Sequence, residues 1–225
     1  MKVAILYEDN HLLVVEKPVN VPVQEDSSKD LDLLNYLKDY IKVRDNKPGN
    51  VYMGLVHRLD RPVGGVMVFA KTSKAASRLS NSIRKHELNR FYLVVAMGKL
   101  PKNSDTITHY LWKNRKTNQV YSVEKNHPDA KKAELSYEVL NHKEGMTLAR
   151  VELHTGRSHQ IRVQFQAMGT PLYGDQKYGD KRVKPHTQIA LWANEIEIPH
   201  PTLKEIVHLT SRPPQSEPWD IFKDI

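Results

Sequence analysis

Asp60 stands between Arg58 and Arg61 in "HRLDRPVGGVMVFAK", His57 to Lys71, at the mouth of a run of Val, Met, Val and Phe. A neighbouring cation favours the ionised form of a carboxylate. An ionised, positioned carboxylate can attack an electrophilic carbon. The same residue types would serve equally as a turn cap or a structural ion pair, and this window alone leaves both readings open. A second segment, "HTGRSHQIR" from His154 to Arg162, adds anion chemistry. Thr155-Gly156-Arg157-Ser158 precedes a helix start, where free N–H groups suit a phosphate. Arg157 and Arg162 add planar forks for phosphate or carboxylate. An ordinary capped helix with surface arginines is the plainer alternative.

His154 and His159 lie five apart without an HExxH pattern, so no metal pair is expected. Tyr92 in "RFYLVV" reads as a strand residue, and Tyr173 and Tyr178 read as anchors of the loop "TPLYGDQKYGD". A GxxxxGK[ST] phosphate loop and a GxSxG elbow are both missing.

The elements that must position these residues follow from periodicity and punctuation. "MKVAILYEDN" reads as a first strand and Leu12 to Glu16 as the next, with a turn at Lys17-Pro18. Asp30 is placed to cap a helix running to about Val43, with Leu31, Leu34, Leu37 and Ile41 on one face. Residues 65–70 form a buried strand. Thr72 or Ser73 caps a helix whose stripe is Ala76, Leu79 and Ile83. "RFYLVVAMG" is a strand ending at Gly98, and residues 105–155 show antiparallel strand patterns. Residues 159–168 form a short helix with Ile161, Phe165 and Met168 inward and Gly169 as its stop. "QIALWANEIEI" returns to strand. The expectation is one domain over residues 1–225, α/β of the α+β type, built on a largely antiparallel sheet with flanking helices.

Charge and composition narrow the partners. The formal net charge is +8, and residues 51–100 hold nine Lys and Arg against two acids, Asp60 and Glu87. A basic surface concentrated in this way attracts polyanions, RNA or DNA above all. With no cysteine, disulfides, thiolate metal sites and thiol nucleophiles are excluded. No stretch approaches the roughly 18 apolar residues of a membrane span, and the N-terminus does not read as a signal peptide. A cytoplasmic location, no membrane and no metal are expected.

Two blocks together resemble a known family. "HRLDRPVGGVMVFAK" and "GRSHQIRVQFQAMGTPLYGDQKYG" are similar to the signature blocks of the RluA-type RNA pseudouridine synthases, in order and separation. "LYEDNHLLVVEKPVNVPV", "LNRFYLVVAMGKL" and "QIALWANEIEIPHP" resemble three further blocks, so the likeness spans about residues 5 to 212. It implies isomerisation of uridine in ribosomal or transfer RNA, with no cofactor. Asp60 would be the catalytic carboxylate, Tyr92 the tyrosine against the base, and Arg162 the cation that pairs with the aspartate. Leu191 would pack beside the site. His57, Arg58, Arg157 and His159 would meet the RNA, with Arg58 or His57 filling the gap left by a flipped uridine. Gly64 and Gly65 would let the chain turn from site into strand.

The chain departs from the family pattern at Trp192 and Gln164, where histidines are usual, and these positions bear on substrate choice. The sequence starts at the catalytic block, so no S4-type domain is expected ahead of it, and a monomer is the simplest assembly. Two rival readings remain. One is an inactive RNA binder or RNA-remodelling protein on the same fold. The other is a base-releasing hydrolase, which needs a second carboxylate; Asp175 is the one candidate.

Overall fold

The computed structural model describes residues 1–179 and 184–222. The end of the "TPLYGDQKYGD" loop, residue 180, falls outside the described residues. In chain order the elements are β1 (Ala4–Glu8), β2 (Leu12–Lys17), α1 (Leu33–Arg44), β3 (Gly54–Leu55), β4 (Gly64–Ala70), α2 (Ser73–Arg84) and β5 (Asn89–Met97). They continue with β6 (Ser104–Asn114), β7 (Gln119–Val123), β8 (Lys131–Lys143), β9 (Met146–Leu153), α3 (Gln160–Ala167), β10 (Leu191–Pro199) and β11 (Ile206–Thr210). A 3-10 turn follows at Trp219–Ile221. The α+β expectation is borne out. The chain forms two compact units, Met1–Arg90 with Ala193–Arg212, and Phe91–Trp192 with Pro213–Ile225.

In the first unit the strand order is β1-β2-β4-β10, with β3 on β4 and β11 on β10. β1/β2, β2/β4, β3/β4 and β10/β11 pair antiparallel. All seven residues of β4 are buried, which is why its sequence is an unbroken apolar run and not an alternation. Val66, Val68 and Ala70 share one cluster with Leu12, Val14, Ile196, Ile198 and the α2 residues Ala75 and Leu79. Met67 and Phe69, pointing to the opposite face by strand alternation, are fully buried as well. Thr72 caps α2 as expected, its hydroxyl accepting the Ala75 N–H at 3.1 Å.

The register of α1 differs from the sequence reading. Asp32, not Asp30, is the cap; its Oδ1 accepts the Asn35 N–H at 2.9 Å. Leu33, Leu37 and Ile41 are the buried stripe, while Leu31 is 57% exposed. Asp30 is drawn away because it pairs with the Arg61 guanidinium. One further detail differs: strand β2 runs on through Lys17.

The second unit is an antiparallel sheet of order β5-β9-β8-β6-β7. Helix α3 packs Val163 against Leu111, Val120, Ala133 and Tyr178. Phe165 meets Tyr137 edge-on, centroids 6.2 Å apart. The helix ends as read: Gly169 takes φ 77° and donates to the Gln166 carbonyl, and Thr170 donates back to Phe165.

Candidate active site

Asp60 sits in the loop that feeds β4. Leu59 and Val63 on either side are buried, and the Asp60 carbonyl accepts the Val63 N–H at 2.9 Å, so the loop is pinned at both ends. Beneath it lies Lys17, which has no exposed surface. Its Nζ donates to the carbonyls of Pro18 (2.9 Å), Arg61 (3.0 Å) and Val63 (2.7 Å). Three acceptors match the three donors of an ammonium. Burial pulls the Lys17 pKa down to about 7, against the attraction of the Asp60 carboxylate and with a smaller push from Arg61. The loop carrying the carboxylate is thus tied to the end of β2 by a single buried cation.

Gly65 sets the other constraint. Its φ is 113°, and a Cβ there would lie 2.2 Å from the Ala193 carbonyl oxygen on β10. The close approach, and not just a tight turn, requires glycine at this position. Gly64 has no such unusual backbone angle.

The two flanking arginines take different directions. Arg61 turns to the 26–30 loop, bonding Ser28 Oγ at 3.0 Å, pairing with Asp30, and lying 3.8 Å from Asp26. Arg61 thus makes its ion pair with another loop. Arg58 is exposed. His57 is turned inward instead: its Nε2 accepts the Val68 N–H at 3.1 Å, and its Nδ1 is buried without a hydrogen-bond partner. Burial, then the nearby Arg90 charge, lowers its pKa to about 3. Through its bond to Val68 the ring of the half-exposed His57 buttresses β4.

The remaining predicted residues lie in the second unit. Tyr92 is 6% exposed and stands opposite Val151 in the β5/β9 ladder. Leu191, at the start of β10, is 5% exposed. Arg162 projects from α3 into a bidentate pair with Asp175, Nε to Oδ2 at 2.9 Å and Nη2 to Oδ1 at 2.7 Å. Asp175 also accepts the N–H groups of Lys177 (2.9 Å) and Tyr178 (3.0 Å). Burial alone would raise the Asp175 pKa, yet the Arg162 fork and the two backbone donors hold it below its ordinary value. The Tyr178 ring underlies the Arg162 guanidinium at 5.1 Å.

Arg157 is exposed, with Nε donating to the Lys132 carbonyl at 2.9 Å. His159 takes a left-handed φ of 53° at the N-cap of α3 and shares a 2.6 Å hydrogen bond with the Tyr178 hydroxyl. The His159 side chain makes no capping hydrogen bond to this helix. Gln164, read as bearing on substrate, has no exposed surface; its Nε2 bonds the Ala133 carbonyl at 3.3 Å and His109 Nδ1 at 3.2 Å. Its place is in the packing between α3 and the sheet.

Lys17 and the Arg162–Asp175 pair are what sequence reasoning missed. The signal for Lys17 was a lysine ending an apolar strand directly before proline. For Asp175 it was an acid directly after a glycine in a loop otherwise rich in turn residues. Among the described residues one trio, Glu195, Glu197 and His208, brings ligand-type atoms within 4.8 Å of one another. Hydrogen bonds within β10 and β11 and to Asn89 account for it, His208 to Glu195 at 2.7 Å and Asn89 to Glu197 at 2.7 Å.

The architecture is shared with solved pseudouridylate synthases. Human RNA pseudouridylate synthase domain containing 4 superposes with a TM-score of 0.80 at 21% identity, covering 94% of this chain and 89% of that one. Human RNA pseudouridylate synthase domain containing 1 gives 0.76 at 24% identity, covering 95% and 84%. These define the fold. Residues 11–167 match the RNA pseudouridylate synthase family, and the chain belongs to that family. It is 30% identical over 213 residues to ribosomal large subunit pseudouridine synthase C of Vibrio parahaemolyticus, covering 92% of this chain and 64% of that protein. It is 34% identical to the RNA pseudouridine synthase YhcT of Bacillus subtilis, covering 90% and 66%. With ribosomal large subunit pseudouridine synthase D of Yersinia pestis it shares 35% identity over 80% of this chain and 54% of that protein. The chain therefore spans under two thirds of the length of these relatives.

Proposed function

We propose that this chain isomerises uridine to pseudouridine in RNA, working in the cytoplasm as a monomer without metal or cofactor. Asp60, Tyr92 and Arg162 take the roles given by the family resemblance. In the reaction the C1′–N1 bond breaks, the uracil turns while bound, and C1′ bonds to C5. The proton on C5 leaves to water, so atoms balance with no co-reactant. Asp60 acts on the sugar, by attack on C1′ or by promoting a glycal. A charged carboxylate must survive the loss of water when a nucleoside binds, and Lys17 holds in place the loop that carries it.

The observation that carries the reading is Asp60 held on a loop pinned by Lys17 in a chain of this family. The hydrolase alternative loses its second acid, because Asp175 is a carboxylate committed to Arg162 and no proton donor. Two of the relatives bear names that assign them to the large ribosomal subunit, so large-subunit ribosomal RNA is the first substrate to offer.

The test uses such RNA labelled with tritium at uridine C5. Tritium released to water by the wild-type chain and not by Asp60→Asn is the result expected. Free uracil in place of retained base, or equal release by both proteins, overturns the reading.

A further inference from the structure

We propose that the first unit carries a second RNA contact, a phosphate site between the outer flank of α2 and the turn joining β10 to β11. The proposal rests on the RNA-modifying reading above and names a part of the substrate surface remote from Asp60. A pocket of about 440 Å³ lies there, lined by Ser77, Arg78, Asn81, Ser82, Arg84 and His200, with prolines of the turn completing its wall. A volume of this size falls within the range of sites that hold a small ligand or a nucleotide-sized group.

The chemistry of the lining is one-sided. It holds two guanidinium groups, two hydroxyls and an amide, and no carboxylate. Three arginines are matched with acids: Arg44 with Glu8 and Asp45, Arg61 with Asp30, Arg162 with Asp175. Arg78 and Arg84 are not. Arg78 Nη1 donates to the Pro201 carbonyl at 2.5 Å, and Arg84 Nη2 to Asn81 Oδ1 at 3.0 Å. Each arginine is thus steadied by a neutral acceptor that leaves its charge unmatched, and α2 contains no acidic residue at all. Lys74 adds a further exposed cation on the same helix.

The turn is itself firm. His200 Nε2 meets Asp9 Oδ2 at 2.6 Å, and His200 Nδ1 accepts the Leu203 N–H at 2.9 Å. The pocket lies along the helix flank and toward its C-terminal half, where the backbone dipole does not favour anions. Attraction therefore depends on the two guanidinium groups, which suit phosphate oxygens through paired N–H donors. The occupant we infer is a backbone phosphate of RNA.

Position along the fold separates this site from the candidate active site. Asp60 precedes β4 and α2 follows it, so the six residue steps from Gly64 to Ala70 put about 20 Å of strand between them. An RNA that engages both must extend several nucleotides beyond the target uridine.

The experiment measures RNA binding against salt for the full chain and for an Arg78→Gln/Arg84→Gln double variant, on a long transcript and on a minimal oligonucleotide around the target. Lys38→Gln/Lys42→Gln on α1 serves as the charge-matched control. On the long transcript the double variant should bind about tenfold more weakly. Its slope of log K against log salt should fall by about 0.7 for each phosphate that the variant no longer neutralises. The weakening should be larger than on the oligonucleotide, and the control should keep the wild-type slope. Equal slopes for the wild type and the double variant on the long transcript overturn the proposal. So does a shift of α2 amide resonances by inorganic phosphate with no change in the RNA slope, which would assign the pocket to a small phosphate compound. Tritium release by the wild type separates the two readings. Release with an unmoved slope sinks only this site, whereas a reduced slope without release sinks the isomerase reading and leaves the RNA site standing.

Discussion

Arg162 and Asp175 meet fork to fork, at 2.9 and 2.7 Å, with side chains 7% and 0% exposed. Thirteen residues separate them in sequence, and the pair joins helix α3 to the loop that follows it. Asp175 engages Nε and Nη2 and so fixes the plane of the guanidinium. A buried pair of this kind is costly to break from one side, because the survivor stays charged and loses its bidentate partner.

Asp175→Asn should therefore cost about 3 kcal/mol or more of stability at neutral pH. Urea denaturation gives the number directly. A change below about 1 kcal/mol would mean that Arg162 finds another partner without strain. The same variant should lose turnover in proportion to the disorder of Arg162, without releasing free uracil.

Lys17→Met removes the donor that three carbonyls share. Each buried carbonyl left without a partner costs about 1 to 3 kcal/mol, so the variant should be clearly less stable, and kcat should fall more than KM rises. The pH dependence gives a separate reading. The folded lysine titrates near 7 and the unfolded one near 10.5, so between these values the unfolded chain binds more protons. Lys17 then makes unfolding free energy rise with pH across that window. Lys17→Met should flatten this rise; a slope identical to wild type would show that the lysine is not depressed by burial.

Gly65→Ala tests the close approach to Ala193. The added methyl meets the carbonyl oxygen at 2.2 Å with φ at 113°, so both strain and overlap oppose it. A loss of about 2 kcal/mol or more is expected, read from thermal unfolding. Gly49→Ala, where a Cβ meets nothing within 4 Å, is the comparison and should stay within about 0.5 kcal/mol.

Arg58→Ala addresses the wedge. With His57 turned into the protein, Arg58 is the exposed member of the pair. Its removal should slow turnover on structured RNA by more than on a short single strand, since only the duplex must be opened and refilled. Equal losses on both substrates would assign Arg58 to general phosphate binding.

Strands carried by periodicity were legible in the sequence. The unbroken apolar run of β4 and the alternation of β6 and β8 follow from burial on two faces or one. What escaped was decided by partners distant in the chain. Asp30 and Asp32 are equally good caps by type, and in the fold Asp32 caps the helix while Asp30 pairs with Arg61. Lys17 looks like a solvated strand end until the carbonyls of residues 61 and 63 close over it. Arg162 sits in a helix whose residues 160–165 are all buried, so periodicity could not separate an inner from an outer face. Asp60, by contrast, stood out through its flanking charges, although one of these serves a different loop.

Helix α3 has eight residues, too few to persist alone in water. It is sewn to β8 by polar groups: Gln160 Nε2 donates to the Glu134 carbonyl at 3.0 Å and Gln164 Nε2 to Ala133 at 3.3 Å, while Thr155 Oγ1 accepts the Glu134 N–H at 2.8 Å. The helix and that strand consequently belong to one cooperative opening unit. Amide exchange in α3 should track that of β8, and any variant that frays the strand edge will misplace Arg162 without touching it.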